Sequence, residues 1–183
     1  MNRFVWVSIL VIVIILIIAS TDSVRLHSAG QTITTSRDEA IQRLQSSLTG
    51  RGVSKRNRAT GLIDFVRLNP STPGSLIQTN VGTTQAEKAL AFVSERKQAF
   101  GLLNPNRDLR LKNEQRDLLG GAHLTFNQTH NGVPVFAAVL KAHFNPAGDL
   151  RSVNGVTIPD IQLSTIPSRT AEAAAAFATA KIQ

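Results

Sequence analysis

The sequence contains no cysteine and no tyrosine, and aromatic residues make up only 5% of its 183 positions. Without cysteine, the chain has no disulfide framework, no thiolate zinc site and no thiol nucleophile. Because aromatic side chains are scarce, a buried core has to be built mainly from leucine, valine, alanine and the eight phenylalanines. The length suits one modest domain with extensions, since a domain usually takes about 100–200 residues.

Catalytic signatures are also missing. The histidines are His27, His123, His130 and His143; none is followed by glutamate, and no two are four residues apart. The helical His-Glu-x-x-His pattern, which sets two zinc-binding imidazoles one turn apart, is therefore absent. There is no Gly-x-Ser-x-Gly and no glycine-rich phosphate loop. We predict no catalytic residue, metal site or cofactor in this chain, with a metal site between His123 and His143 on neighbouring strands as a minor alternative.

Acidic residues are in deficit. The 20 lysines and arginines outnumber the 12 aspartates and glutamates, which leaves a net charge of +8. Such an excess favours an anionic partner, which can be a nucleic acid, a membrane surface or an acidic protein. The cations concentrate between Arg25 and Arg67 without a nucleic-acid-binding motif or stacking aromatics. We therefore predict no nucleic-acid binding, and a solvated basic linker over residues 21–76, partly disordered.

Residues 1–20 predict export. Arg3 provides a positive start, an apolar run extends from Phe4 to Ala19, and Ser20 is a small residue where a signal peptidase can cut. As a helix, Phe4–Ala19 would span roughly 24 Å at about 1.5 Å per residue, short for a ~30 Å hydrocarbon core but tolerable with local thinning. A secretory signal peptide is favoured, and an uncleaved membrane anchor at Phe4–Ala19 is the alternative.

Regular structure is expected from about residue 77 onward. Within the preceding linker, only a brief helix after Ser36 and one strand over 61–68 are expected. Thr84 and Glu87 form a capping-box pattern before helical sequence that runs to Phe100, and Gly101 follows as a left-handed terminator.

Strand-like alternation follows at 123–128, 135–144 and 150–156, with a short strand near 109–111. Asn131-Gly132 is a strong hairpin signal because both residues tolerate positive φ. The pattern predicts an α+β fold: an antiparallel β-meander with a helix packed on one face, preceded by a signal or transmembrane helix and a poorly ordered linker.

The C-terminal part predicts a connector and a further helix. Residues 158–167 are read as a connector, and Thr170 caps an alanine-rich helix that begins at Ala171. The sequence stops inside this helix, so we expect the natural protein to continue.

A resemblance becomes visible between Asp117 and Phe136, where the chain reads DLLGGAHLTFNQTHNGVPVF. Its Asp-x-x-Gly-x-x-His followed by Asn-Gly-Val-Pro-Val-Phe resembles the propeptide motif of fungalysin and thermolysin metallopeptidases, here abbreviated FTP. The resemblance extends upstream over 86–101 and downstream to Gly155, and residues 168–183 are similar to the opening helix of a PepSY module. One departure is Ala137-Ala138, where the family commonly has glycines.

The resemblance implies an FTP-like domain over 77–157 and the start of a truncated PepSY-like module over 158–183. It also implies a non-catalytic prosegment that assists folding of, and inhibits, a secreted thermolysin-like zinc metalloendopeptidase. The partner would be the protease catalytic domain, in cis or in trans, and zinc would belong only to that attached domain. Two alternatives stay open: a stand-alone exported protease inhibitor or binding module, and a membrane-tethered structural protein.

Two groups of residues are candidates for roles in such a domain. The candidates for partner contact lie around the predicted hairpin: Gln128, His130, Asn131, Val133, Pro134 and Phe136. The candidates for shaping turns are Asp117, Gly120, Gly132 and Gly148.

Overall fold

The computed structural model describes residues 36–79 and 83–182. The predicted signal peptide or anchor at 1–20 lies outside these residues. Within the two described ranges, no helix is both long enough and apolar enough to cross a membrane.

The six described strands form one antiparallel sheet, with helices on one side. In chain order the elements are α1 (36–47), β1 (Gly52–Arg56), β2 (Ile63–Leu68), α2 (Gln85–Glu95), α3 (Pro105–Asp108), β3 (Leu109–Arg116), β4 (Ala122–His130), β5 (Val133–Phe144), β6 (Leu150–Val156) and α4 (Ala171–Ile182). The strand order across the sheet is β1-β2-β6-β5-β4-β3. The predicted α+β class is confirmed: β3 to β6 make the meander, and the β1–β2 hairpin extends it beside β6.

Helix α2 begins at the predicted capping box. The Glu87 amide donates to Thr84 Oγ1 at 3.2 Å, and the Thr84 amide donates to the Glu87 carboxylate at 2.8 Å. The α-helix ends at Glu95, earlier than the predicted Phe100, because the next residue leaves helical geometry with φ −120°. The chain then makes a tight turn that closes at Gly101, whose φ is 64°.

Residues 36–76 are not the poorly ordered linker that the sequence suggested. Eight apolar side chains from 36–79 are buried in the core: Ile41, Leu44, Leu48, Leu62, Ile63, Val66, Leu68 and Ile77. Strand β2 also pairs with β6, with Val66 opposite Val153. The physical reason is that β6 would otherwise present an unpaired edge of the meander, which β2 satisfies. Ser36, after which the sequence predicted the helix to begin, is already inside α1.

The core lies between the sheet and helices α1 and α2. Phe92 of α2 packs edge-to-face against Phe100, with ring centroids 6.1 Å apart, and both rings are buried. Inward-facing residues of β2, β4, β5 and β6 complete this single cluster. After Thr157 no described residue is buried, so the connector and α4 add no side chain to the core.

Candidate functional site at the hairpin tip

The β4–β5 hairpin ends in a tight turn at the predicted position. Asn131 and Gly132 both have positive φ, at 48° and 85°, which is the type I′ geometry that suits the twist of an antiparallel hairpin. His130 and Val133 form the last cross-strand pair before the turn. Exposed side chains of β5 therefore begin immediately after Gly132.

Strand β5 loops out just beyond this turn. Asn127 pairs with Val139, but Thr129 pairs with Pro134, so residues 135–138 of β5 face a single residue of β4. The extra length is accommodated at Ala137, whose φ of 59° is left-handed. As a result Ala138 turns inward and is fully buried, while Phe136 is 97% exposed.

Gln128 is the β4 residue opposite the loop-out, and its amide is used within the chain. The Nε2 group donates to Ile158 O at 2.8 Å, and the Ile158 amide donates back to Oε1 at 2.8 Å. The side chain is 4% exposed. Gln128 therefore anchors the connector, and the structure does not place it where a partner could reach it. Gln128 continues the alternation of Leu124 and Phe126 along β4, and this sequence pattern could have predicted that its side chain is buried.

The connector after β6 lies alongside the tip. His130 Nε2 lies 3.1 Å from Leu163 O, which accepts from the ring N–H. Asp160 is paired with Arg37 of α1 at 2.5 Å, and this contact lowers the pKa of the Asp160 carboxyl. These contacts leave an open groove of ≈ 460 Å³ between the hairpin tip and the connector.

This tip groove is lined mainly by apolar side chains. Its lining comprises His130, Val133, Pro134, Val135, Phe136, Ile158, Ile161, Leu163, Ser164, Thr165, Ile166 and Pro167. Phe136, Leu163 and Ile166 are each more than two-thirds exposed. Exposed apolar surface of this kind, concentrated at one place, marks binding sites. Four of the predicted contact residues line it, whereas Leu163 and Ile166 were missed because single apolar residues in a polar connector give no periodic signal.

Asp117 and Gly120 shape the turn between β3 and β4. The Asp117 carboxylate accepts hydrogen bonds from the amides of Leu119 at 2.9 Å and Gly121 at 2.8 Å, and Gly120 has φ 84°. Gly148, with φ 80°, closes the corresponding turn between β5 and β6. Positive φ at both glycines is the conformation that residues with a Cβ adopt only with strain.

Asp117 also begins a chain of side-chain contacts across the sheet. Its Oδ2 lies 2.9 Å from His123 Nε2, and the Nδ1 atoms of His123 and His143 are 2.8 Å apart. His143 Nε2 lies 2.7 Å from Asn154 Oδ1. Asp117 Oδ2 and Asn154 Oδ1 can only accept a hydrogen bond. All three contacts are therefore hydrogen bonds when the two imidazoles together hold three ring protons.

Two groups in this chain of contacts have a shifted pKa, Asp117 and His143. The hydrogen bond from His123 lowers the pKa of Asp117, with help from the Gly121 amide. Burial lowers the pKa of His143. All four ring nitrogens are engaged, so none offers a free lone pair to a metal ion. Within the described ranges, no group of three or more His, Cys, Asp or Glu side chains is arranged to hold one.

Comparison with known proteins finds a likeness over this region. Residues 107–156 match the model described as the Fungalysin/Thermolysin Propeptide Motif. The chain is also 35% identical over 86 residues to proteins named Thermolysin from Alicyclobacillus acidocaldarius subsp. acidocaldarius, Bacillus caldolyticus and Bacillus sp. (strain EA1). Each alignment covers 46% of this chain and 16% of the relative.

The matched segment runs from within α3 through β6, so it includes Asp117, both sheet histidines and the hairpin tip. The similarity of residues 168–183 to a PepSY module stays a prediction. Over residues 107–156 the resemblance is confirmed, and this chain contains the propeptide motif of the fungalysin and thermolysin metallopeptidases.

Proposed function

We propose that this chain is the prosegment of an exported thermolysin-like zinc metalloendopeptidase, which it helps to fold and holds inactive. The observation that carries the proposal is the propeptide motif over 107–156, contained in a folded domain that has an exposed apolar groove. The likeness to proteins named Thermolysin supports the same role. Zinc and the catalytic groups would then belong to the protease domain, and export would follow from the apolar segment at 4–19.

Inhibition and folding assistance have a common physical basis. A domain that binds the folded protease and not the unfolded chain stabilises the folded form by mass action. The same bound domain blocks the enzyme for as long as it stays in place. The tip groove is the surface on which we place this contact, because Phe136 presents a nearly complete aromatic side chain to solvent. Aromatic side chains of this type dominate the energetics of interface centres.

The test is inhibition of mature Bacillus caldolyticus thermolysin in trans by the full chain, kept soluble in a non-ionic detergent. We expect the wild-type chain to inhibit, and Phe136→Ala to raise the inhibition constant by roughly 30-fold, which corresponds to about 2 kcal/mol for an anchor residue. Phe136 is already exposed, so the substitution leaves the thermal midpoint of the free chain nearly unchanged.

The matched control is Leu118→Ala. Leu118 is a large exposed apolar residue outside the tip groove, and its truncation is expected to leave inhibition unchanged. Absence of inhibition by the wild-type chain, measured at micromolar concentrations, would contradict the proposal. An equal loss of inhibition in the Phe136 and Leu118 variants would instead refute the assignment of the tip groove as the contact.

A further inference from the structure

The sheet has a second face that no described helix covers. The register places three rows of side chains on it, because residues directly opposite in an antiparallel sheet point to the same side. The first row is Val53, Arg67, Ser152, His143, His123 and Gln115; the second is Lys55, Phe65, Asn154, Lys141, Thr125 and Asn113; the third is Val156, Val139, Asn127 and Arg110. We call this surface the open face.

The lysine and arginine side chains of the three rows have no acidic residue among them, and the Asp117 carboxylate, outside the rows, contacts His123 of the first row. The open face carries Lys55, Arg67, Arg110 and Lys141, all exposed, and its three rows contain no aspartate or glutamate. Within 36–79 and 83–182 none of these four cations forms an ion pair with a carboxylate. Opposite charges paired across strands stabilise a sheet, and within the described residues none of these four cations takes part in such a pair.

The arrangement of the cations suits an extended contact. Lys55 Nζ and Arg67 Cζ lie 5.9 Å and 6.0 Å from the centroid of the Phe65 ring, which holds both charges beside one aromatic surface. Lys141 lies three strands from Lys55, roughly 14 Å away at about 4.8 Å per strand. The His123–His143 pair lies in the first row, where the Asp117 carboxylate contacts His123. The four cations therefore form a broad positive surface instead of a single anion pocket.

We infer that the open face is a docking surface for an acidic protein surface, which in the proposed function belongs to the protease catalytic domain. The inference rests on the proposed function for the identity of the partner and on the open face alone for its chemistry. Carboxylates of the partner would supply the counter-charges that the rows lack. Complementary charge of this kind speeds association and selects the partner.

The first experiment measures binding of a fluorescent polyglutamate peptide to the full chain in non-ionic detergent. Lys55→Glu/Lys141→Glu reverses two charges of the open face. The control, Arg43→Glu/Lys97→Glu, makes the same change in net charge at the groove between α1 and the α2 turn, on the opposite side of the sheet. We expect the open-face variant to bind at least about tenfold more weakly than the control.

Neutral variants keep the experiment decisive if charge reversal disturbs folding. Lys55→Gln/Lys141→Gln is expected to bind more weakly than Arg43→Gln/Lys97→Gln, with the difference shrinking as salt is raised through physiological ionic strength. Equal peptide affinity for the open-face and control variants would overturn the inference. Tighter binding of a DNA duplex than of the peptide, through the same two lysines, would also overturn it.

The second experiment repeats the comparison with mature Bacillus caldolyticus thermolysin. We expect the open-face variant to slow association with the protease while the control variant does not. If the wild-type chain fails to inhibit but the peptide result holds, the proposed function fails and the acidic-partner surface stands. If the wild-type chain inhibits and both variants associate with the protease at the same rate, the open face is not the docking surface.

Discussion

Substitution of Ile41 by alanine measures how far the N-terminal basic segment contributes to the fold. Ile41 lies on α1 with 1% of its surface exposed, in the same cluster as Leu44 and Leu48. Truncation of a fully buried isoleucine removes its transfer free energy and leaves a cavity, which together cost about 2–5 kcal/mol. We expect a loss near the middle of this range, about 3 kcal/mol, because α1 packs against α2 and the sheet and cannot collapse freely.

The assay is urea unfolding of the full chain in non-ionic detergent, followed by far-ultraviolet circular dichroism. Gln42→Ala is the matched control, since Gln42 is the next residue on the same helix and is exposed; its effect should stay within about 0.5 kcal/mol of wild type. If Ile41→Ala unfolds at the same urea concentration as Gln42→Ala, residues 36–48 do not belong to the core. A fragment that begins at residue 75 should lack cooperative unfolding for the same reason, because it omits α1, β1 and β2.

Three further substitutions test the backbone and the histidine pair. Gly155→Ala should destabilise the chain by about 3 kcal/mol or more, because a Cβ at this φ of 136° would lie 2.0 Å from Val139 O; a thermal midpoint equal to wild type would contradict this. Ala137→Gly should stabilise it by about 1 kcal/mol in a urea titration, because φ is 59° there and left-handed geometry costs residues with a Cβ about that amount; a loss of stability would be the opposite result. Burial lowers the pKa of His143 in the folded chain. The contribution of neutral His143 to stability is therefore complete above the pKa of the unfolded chain, near ~6.5, and is lost as the pH falls through the lower pKa of the folded chain. Urea midpoints compared at pH 7 and pH 5 should therefore fall more in wild type than in His143→Gln, and equal slopes would refute this account.

Local patterns in the sequence predicted the elements whose signals are short-range. The Thr84–Glu87 capping box, the Asn131-Gly132 turn and the alternation along β4, β5 and β6 each depend on residues within a few positions of one another. These signals survive in the fold because tertiary contacts agree with them. The propeptide motif was readable for a related reason, since its residues are contiguous from Asp117 to Phe136 and their spacing is visible without knowledge of the contacts.

The contribution of residues 36–76 to the core could not be predicted from local sequence patterns. The buried side chains of α1 and β2 are separated by arginines, lysines and turn residues, so the composition resembles a solvated linker. Their burial depends on the edge of β6, which is offered by residues more than 80 positions later in the chain. No local sequence pattern indicates such a long-range pairing. The prediction of a linker over these residues was therefore wrong, because their burial depends on a distant strand.

In the candidate site too, some features follow from local sequence and others depend on long-range contacts. The sequence by itself determined the hairpin turn, the absence of catalytic signatures and the apolar residues Val133 to Phe136, because each is a property of adjacent positions. Only the tertiary structure decided that Gln128 is buried by the connector, that Leu163 and Ile166 join Phe136 in one groove, and that four distant cations share one sheet face. These depend on strand register and on the loop-out of β5, where hydrogen-bond pairing across the sheet, and not spacing along the chain, sets which side chains meet.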